Sequence, residues 1–293
     1  MPAFISHSQK DGGAFSVMLA ALSGQGVATW EPESMGAGAS LRDQLKEAAE
    51  KAAKDASVEG GALERPEDPY IIQQLALVTY KSKQPTPVAA LEEARDLLLT
   101  LNPSTSNDTE TLGLWGAVHK RLWEVAGELK YLDEAVRGHE RGFYLRNDYY
   151  NGINLAYLLN VRAANAARLA SDEPASAQRH WASAIADFVQ AGRIRGEVLG
   201  ICERWLKENP PPPADAGDEA KAAYTETKYW VVATKAEALL GMGQTQLADE
   251  TYEEAYALDP PKAFMIPSTK EQREKLEKML NDSPLRHVSP EAA

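Results

Sequence analysis

One spacing constrains this chain more than any other feature. Gly243, Ala248, Tyr252, Ala255 and Pro260 follow a helical stretch in which Ala236 and Leu239 take a small and a large packing position. Small residues let two helices approach closely, Tyr252 fills the groove between them, and Pro260 ends the second helix. A looser copy runs from Leu114 to Asn147, with Ala135, His139 and Gly142 in the places of Ala248, Tyr252 and Ala255. Its turn glycine, Gly127, lies too far ahead of Ala135, so the turn carries a short insertion. Helix pairs of this kind stack, because one pair alone cannot bury its apolar face.

The pattern is helical almost throughout from Asp68 onward. Asp68-Pro69 starts a helix over 70–81, followed by helices over 87–101, 108–126, 131–145 and 149–169. Two further helices are expected over 174–191 and 195–207, then a rigid proline spacer over 210–213. A hairpin over 219–240 and 244–258 turns at Gly241-Met242-Gly243, and a charged helix over 269–280 precedes a loose tail. The period of the best copy resembles one tetratricopeptide repeat of about 34 residues.

Composition narrows the function classes. The 293 residues include 31 Lys+Arg and 43 Asp+Glu, a net charge of −12. Phosphate backbones need clustered positive surface, so broad nucleic-acid binding is excluded, although a local basic pocket for a small anion is not. Without a run of 18 apolar residues, nothing is expected to span a bilayer. One cysteine, Cys202, leaves no intramolecular disulfide framework, and it reads as a packing residue. The first residues lack a signal-peptide pattern, which with the cysteine usage places the chain in the cytoplasm. The five histidines are scattered, without metal-ligand spacing, so no metal is expected.

Residues 1–57 read differently. A short apolar run at Ala3–Ser6, a helix from Lys10, a second apolar run at Val27–Trp30, a Gly-rich loop and a helix from Leu41 begin a parallel α/β unit. No third strand follows, because residues 58–67 form a polar linker. Two strands cannot bury both faces of a parallel sheet.

The pieces Phe4-Ile5-Ser6-His7-Ser8, Gly26, Trp30 and Met35–Leu41 resemble the first part of a TIR (Toll/interleukin-1 receptor-type) domain. The resemblance implies an assembly surface around Ser6, His7, Trp30, Gly38 and Ser40. Enzymatic relatives cleave the nicotinamide–ribose bond of NAD with a glutamate on a later helix, in a Ser-Trp-Glu signature that falls after a third strand. This chain has changed character by then, so no catalytic residue is expected. The plain alternative makes Trp30 core and Ser40 a helix cap.

A second resemblance covers about 68–260. DPYIIQQLALVTYKSKQPTPVAALEEA, SNDTETLGLWGAVHKRLWE and RGFYLRNDYYNGINLAYLLN are similar to the TRAF-binding, tetratricopeptide-like domain of apoptosis signal-regulating kinases and its bacterial relatives. In the kinases this region is regulatory and binds proteins. The bacterial relatives occur beside TIR and other conflict-system modules and are suggested to sense a nucleotide-derived ligand. Lys81, Lys120, Arg146, Tyr149, Tyr150, Asn151 and Asn154 fall on neighbouring helices and are candidates for an anionic, ring-bearing ligand held by charge and stacking. The structural alternative puts the aromatic residues in the core and pairs the bases with carboxylates.

The sequence therefore predicts a mainly α, tetratricopeptide-like array over 68–265, a partial TIR-like α/β piece in front, and a C-terminal helix and tail over 266–293. The function expected is non-catalytic signalling or defence regulation. The array binds a protein partner, a TIR-containing chain or an NAD-derived ligand, with no cofactor, nucleic acid or membrane. The alternative is a component of a TIR-type NAD glycohydrolase completed in trans by another chain.

Overall fold

The computed structural model describes residues 69–260 and 262–282, and the expected α/β piece, linker and tail lie outside them. The described residues form helices joined by turns: α1 (Pro69–Ser82), α2 (Pro87–Leu99), α3 (Thr109–Ala126), α4 (Leu129–Arg146), α5 (Tyr149–Asp172), α6 (Ala177–Glu208), α7 (Asp218–Gly241), α8 (Thr245–Tyr256) and α9 (Met265–Asp282). The chain divides into two compact units, residues 1–103 and 104–293. In the first, α1 and α2 pack as an antiparallel pair. In the second, α3 pairs with α4, α5 with α6 and α7 with α8, and α9 lies on α5 and α7.

Local chemistry sets the helix ends. Asp108 caps α3 by accepting hydrogen bonds from the Thr111 backbone N–H at 2.9 Å and hydroxyl at 2.6 Å. Asp148 caps α5 by accepting from the Asn151 N–H at 2.8 Å. These short side chains satisfy donors that have no partner within the helix. Gly127 and Asn147, at φ 67° and 53°, end α3 and α4 in the left-handed region that glycine and asparagine tolerate best.

The expected small residues are where the helices meet. Ala135, Ala248 and Ala255 are fully buried, as are His139 and Tyr252 in the equivalent groove positions. A Cβ on Gly138 would lie 3.0 Å from the Leu112 carbonyl oxygen, so the α3 and α4 backbones approach directly there. A Cβ on Gly116 would lie 2.5 Å from the His139 ring. The core of the second unit then runs through Phe143, Leu155, Leu158, Ile194, Val198, Cys202 and Leu239. Cys202 is buried and reduced, in the packing role read from sequence. Arg162 joins three helices, pairing with Asp187 at 2.7 Å and Asp133 at 3.2 Å.

The structure corrects one expectation. Residues 174–191 and 195–207 are not two helices: after a single turn at Pro174–Ser176, α6 runs unbroken from Ala177 to Glu208. Gly192 does not break it, because the buried stripe Ala191, Ile194, Val198 and Cys202 continues across it. Packing outweighs a propensity cost of about 1 kcal/mol per glycine.

The two kinds of glycine predict opposite outcomes. A Cβ on Gly196 meets open space, so Gly196→Ala should stabilise the chain by about 0.5–1 kcal/mol. Gly116→Ala drives a methyl into His139 and should destabilise by about 1–3 kcal/mol. Urea unfolding checks both, and the Gly116→Ala cost should shrink in a His139→Ala background.

Candidate functional site on the inner face

The first helices of successive pairs, α3, α5 and α7, supply the face on which α9 lies. Met265, Thr269, Gln272, Leu276 and Met279 recur along α9 at alternating steps of four and three, one stripe of a helix. Met265 is fully buried among Tyr229, Val232 and Ala255, and the Tyr229 hydroxyl donates to Thr269 Oγ1 at 2.8 Å. Leu276 is fully buried in the main core, with Met279 and Leu280 packed partly against it.

The middle of this stripe is polar. Lys120 of α3 donates from Nζ to Gln272 Oε1 at 3.3 Å, and its ammonium lies 4.3 Å from the centre of the Tyr157 ring of α5. Gln272 Nε2 donates to Glu237 Oε1 of α7 at 3.1 Å. The Gln272 carboxamide thus bridges a cation and a carboxylate with both of its ends. One turn along from Lys120, Glu124 pairs with Lys275 of α9 at 3.4 Å.

Arg195 of α6 lies beside this line. It is 1% exposed, and its Nε and one terminal nitrogen, Nη2, have no hydrogen-bond partner. Its side chain fits because α7 carries glycine at 241, where a Cβ would collide with the guanidinium. Gly241 is four residues from Glu237 and so on the same face of α7. Burial pushes Lys120 down to about 8 and Arg195 down to about 10, while the Glu237 carboxylate opposes both shifts. Burial raises Glu237 in turn, with Lys120, Gln272 and Arg195 acting against it. Asn160, one turn beyond Tyr157 on α5, is buried with Oδ1 unpartnered.

Of the predicted ligand-binding residues, Lys120 belongs to this line. Lys81 is exposed on α1, in the first unit. The others gather where α4 turns into α5. Arg146 is exposed and donates to the Thr109 hydroxyl at 3.4 Å. Tyr149 packs partly against the core, and burial pushes its hydroxyl up to about 12. Tyr150 meets the His139 ring edge-on at 5.9 Å. Asn154 donates to the Tyr150 carbonyl at 2.9 Å. Asn151 is buried, donates to Asp148 Oδ2 at 2.9 Å and accepts from His139 Nδ1 at 3.0 Å. That donation orients the amide, makes Nδ1 the protonated ring nitrogen, and leaves His139 Nε2 a buried acceptor without a partner. Ser6, His7, Trp30, Gly38 and Ser40 lie outside the described residues.

Sequence reasoning missed Tyr157, Arg195, Glu237 and Gln272. The signal for Arg195 was available: a base inside the stripe Ala191, Ile194, Val198 and Cys202 has no route to solvent. Gln272 and Glu237 gave no such signal, since each sits among charged or small residues that fit a solvated face equally well.

A family model described as TPR-S, Tetratricopeptide Repeats-Sensor, matches residues 40–159. The chain carries a tetratricopeptide-like domain. The match takes in α1 through the first half of α5, including Lys120 and Tyr157, and α7 and α8, which pack as a further pair, lie outside it. No curated protein and no solved structure matches the chain. Among the described residues, no three His, Cys, Asp or Glu side chains are grouped to hold a metal ion, and no helix is long and apolar enough to cross a membrane.

Two measurements check this electrostatic account. Arg195→Met keeps the buried volume and removes an incompletely paired charge, so it should raise stability by about 1–4 kcal/mol. Glu237→Ala removes the carboxylate shared by Lys120 and Arg195 and should lower it by about 2 kcal/mol. His139 is held down at about 4, chiefly by burial, against an ordinary 6.5. Its unfolded form therefore takes up a proton first as pH falls. The His139 contribution is complete above pH 6.5 and declines between 6.5 and 4, by up to about 1.4 kcal/mol per pH unit. In His139→Gln the stability slope between pH 6.5 and 5 should flatten.

Proposed function

We propose that this chain is a non-catalytic regulator of signalling or defence, a tetratricopeptide-like scaffold that receives its partner on the inner face of α3, α5 and α7. The observation that carries this reading is the polar line Lys120–Gln272–Glu237 within the face that α9 covers. Repeat arrays present such faces for recognition, and buried polar groups there supply specificity, because a wrong partner leaves them unsatisfied. The described residues of this face offer a binding surface.

A nucleotide-derived ligand is the second reading. Lys120 over the Tyr157 ring favours a group that is both anionic and aromatic. The TIR-like pieces within residues 1–57 support a role in assembly with TIR-containing chains, and the resemblance to TRAF-binding domains supports a protein partner.

Thermal-shift and calorimetric titration of the full chain with NAD, ADP-ribose and cyclic ADP-ribose tests the ligand arm. Capture of candidate TIR-containing proteins tests the other. A ligand at 100 times its dissociation constant adds about 2.7 kcal/mol of stability. Lys120→Ala should weaken whichever interaction is found. Binding of an anion should also fall as pH rises through about 8, where Lys120 loses its charge. An interaction unchanged by Lys120→Ala and by Arg195→Met would place recognition elsewhere.

A further inference from the structure

The inner face already holds a helix, and the helix is the chain's own. Three features of α9 set it apart from its neighbours. It belongs to none of the three packed pairs α3–α4, α5–α6 and α7–α8, but crosses the first helices α7 and α5 and reaches α3 through the side chains of Gln272 and Lys275. Its fully buried apolar contacts are concentrated in Met265 and Leu276, whereas α5 and α7 each carry a long run of buried residues. Beyond the Tyr229–Thr269 and Gln272 hydrogen bonds and the Arg273 guanidinium 4.8 Å over the Tyr252 ring, its ties include Arg273 to Asp249 at 2.6 Å and Lys275 to Glu124 at 3.4 Å, partly solvent-exposed ion pairs that hold little. An element with so few fully buried apolar residues opens before the pairs beneath it.

What lies under α9 is costly to leave empty. Lys120 and Glu237 are satisfied through one carboxamide, that of Gln272, which accepts from the first and donates to the second. Any helix that replaces α9 must offer the same two-ended group at the same place. The residues around it define the rest of the fit: apolar or small side chains three residues before and four after, to follow Thr269 and Leu276, and a base three residues after, to meet Glu124.

Resting on the inner-face reading, we propose that α9 is an intramolecular pseudo-ligand. The groove of α3, α5 and α7 is a site for a partner's amphipathic helix with an apolar–carboxamide–apolar stripe and a following base, and that helix displaces α9. Tethering gives α9 an effective concentration in the millimolar range, so the resting chain is closed to weak or mismatched helices. A partner wins by matching the stripe and burying more apolar surface than Met265 and Leu276 do. Displacement frees the α9 segment for a second contact and couples occupancy of the groove to a change at the C-terminal end of the chain.

The test uses the full chain and a fluorescein-labelled peptide of residues 262–282 as the probe. The wild-type groove is occupied, so binding should be weak. Leu276→Asp removes the main anchor of α9 without altering the groove, and it should bind the probe at least about tenfold more tightly than the wild type. A probe peptide carrying Gln272→Ala should lose most of that gain. Arg273→Glu, on the partly exposed edge of α9, is the second variant if Leu276→Asp loses helicity, and it should shift binding in the same direction. Hydrogen exchange on the wild type reads the same opening without mutation: α9 amides should exchange before those of α5 and α7. Equal probe binding by wild type and folded variants, or α9 protected as long as α5, would overturn the proposal. Either result leaves the Lys120-dependent interaction to stand or fall on its own titrations.

Discussion

Close approach of helices at positions with little or no side chain is the constraint on which the second unit depends. Gly138 lets the α3 and α4 backbones meet, Gly116 makes room for the His139 ring, and Gly142 makes room for Asn151. Those two side chains, with Asp148, tie α4 to α5 through hydrogen bonds away from solvent. Removing the space at any of the three glycines pushes apart the elements that set Lys120 of α3 over Tyr157 of α5. The face covered by α9 is a consequence of this packing, because its residues come from helices whose spacing the glycines determine.

The charges on that face make sense against their surroundings. A chain with a net charge of −12 repels anions at long range, yet Arg195 is buried and Lys120 half-buried, where water is partly excluded and interactions are stronger. Burial disfavours both cations, and Glu237 offsets that penalty by sitting within reach of each. The arrangement is costly for stability alone, since apolar residues of the same volume hold a core together better than a buried ion pair. Under the proposed function, specificity is the compensating gain, because a helix or ligand that satisfies both signs of charge is favoured over one that does not. Gln272 is the neutral group that meets this demand within the chain itself.

Different parts of this architecture were legible in the sequence to different degrees. The groove positions Ala248, Tyr252 and Ala255 were readable because size alone decides who can stand between two close helices. His139 was readable as the counterpart of Tyr252 for the same reason. The continuity of α6 was not, because Gly192 is a local signal for a break, whereas the stripe that overrides it is secured by contacts from α5 and α7. At the candidate site, Lys120 was found from its proximity in sequence to other polar residues on α3 to α5. Glu237 and Gln272 were missed because their partners are 35 to 152 residues away along the chain. Asn151 was legible as a polar residue of consequence, while its role inside the α4–α5 tie depended on where His139 came to rest.

Helical character, the pairing of helices and the small residues at their contacts were determined by the sequence itself, because periodicity, capping chemistry and side-chain volume act over a few turns of chain. The placement of α9 across α5 and α7 was decided only by the tertiary structure. An amphipathic helix carries the instruction to bury one face, but the surface that buries it is assembled from helices far apart in sequence. The bridge from Lys120 through Gln272 to Glu237 exists because three such helices converge at one point.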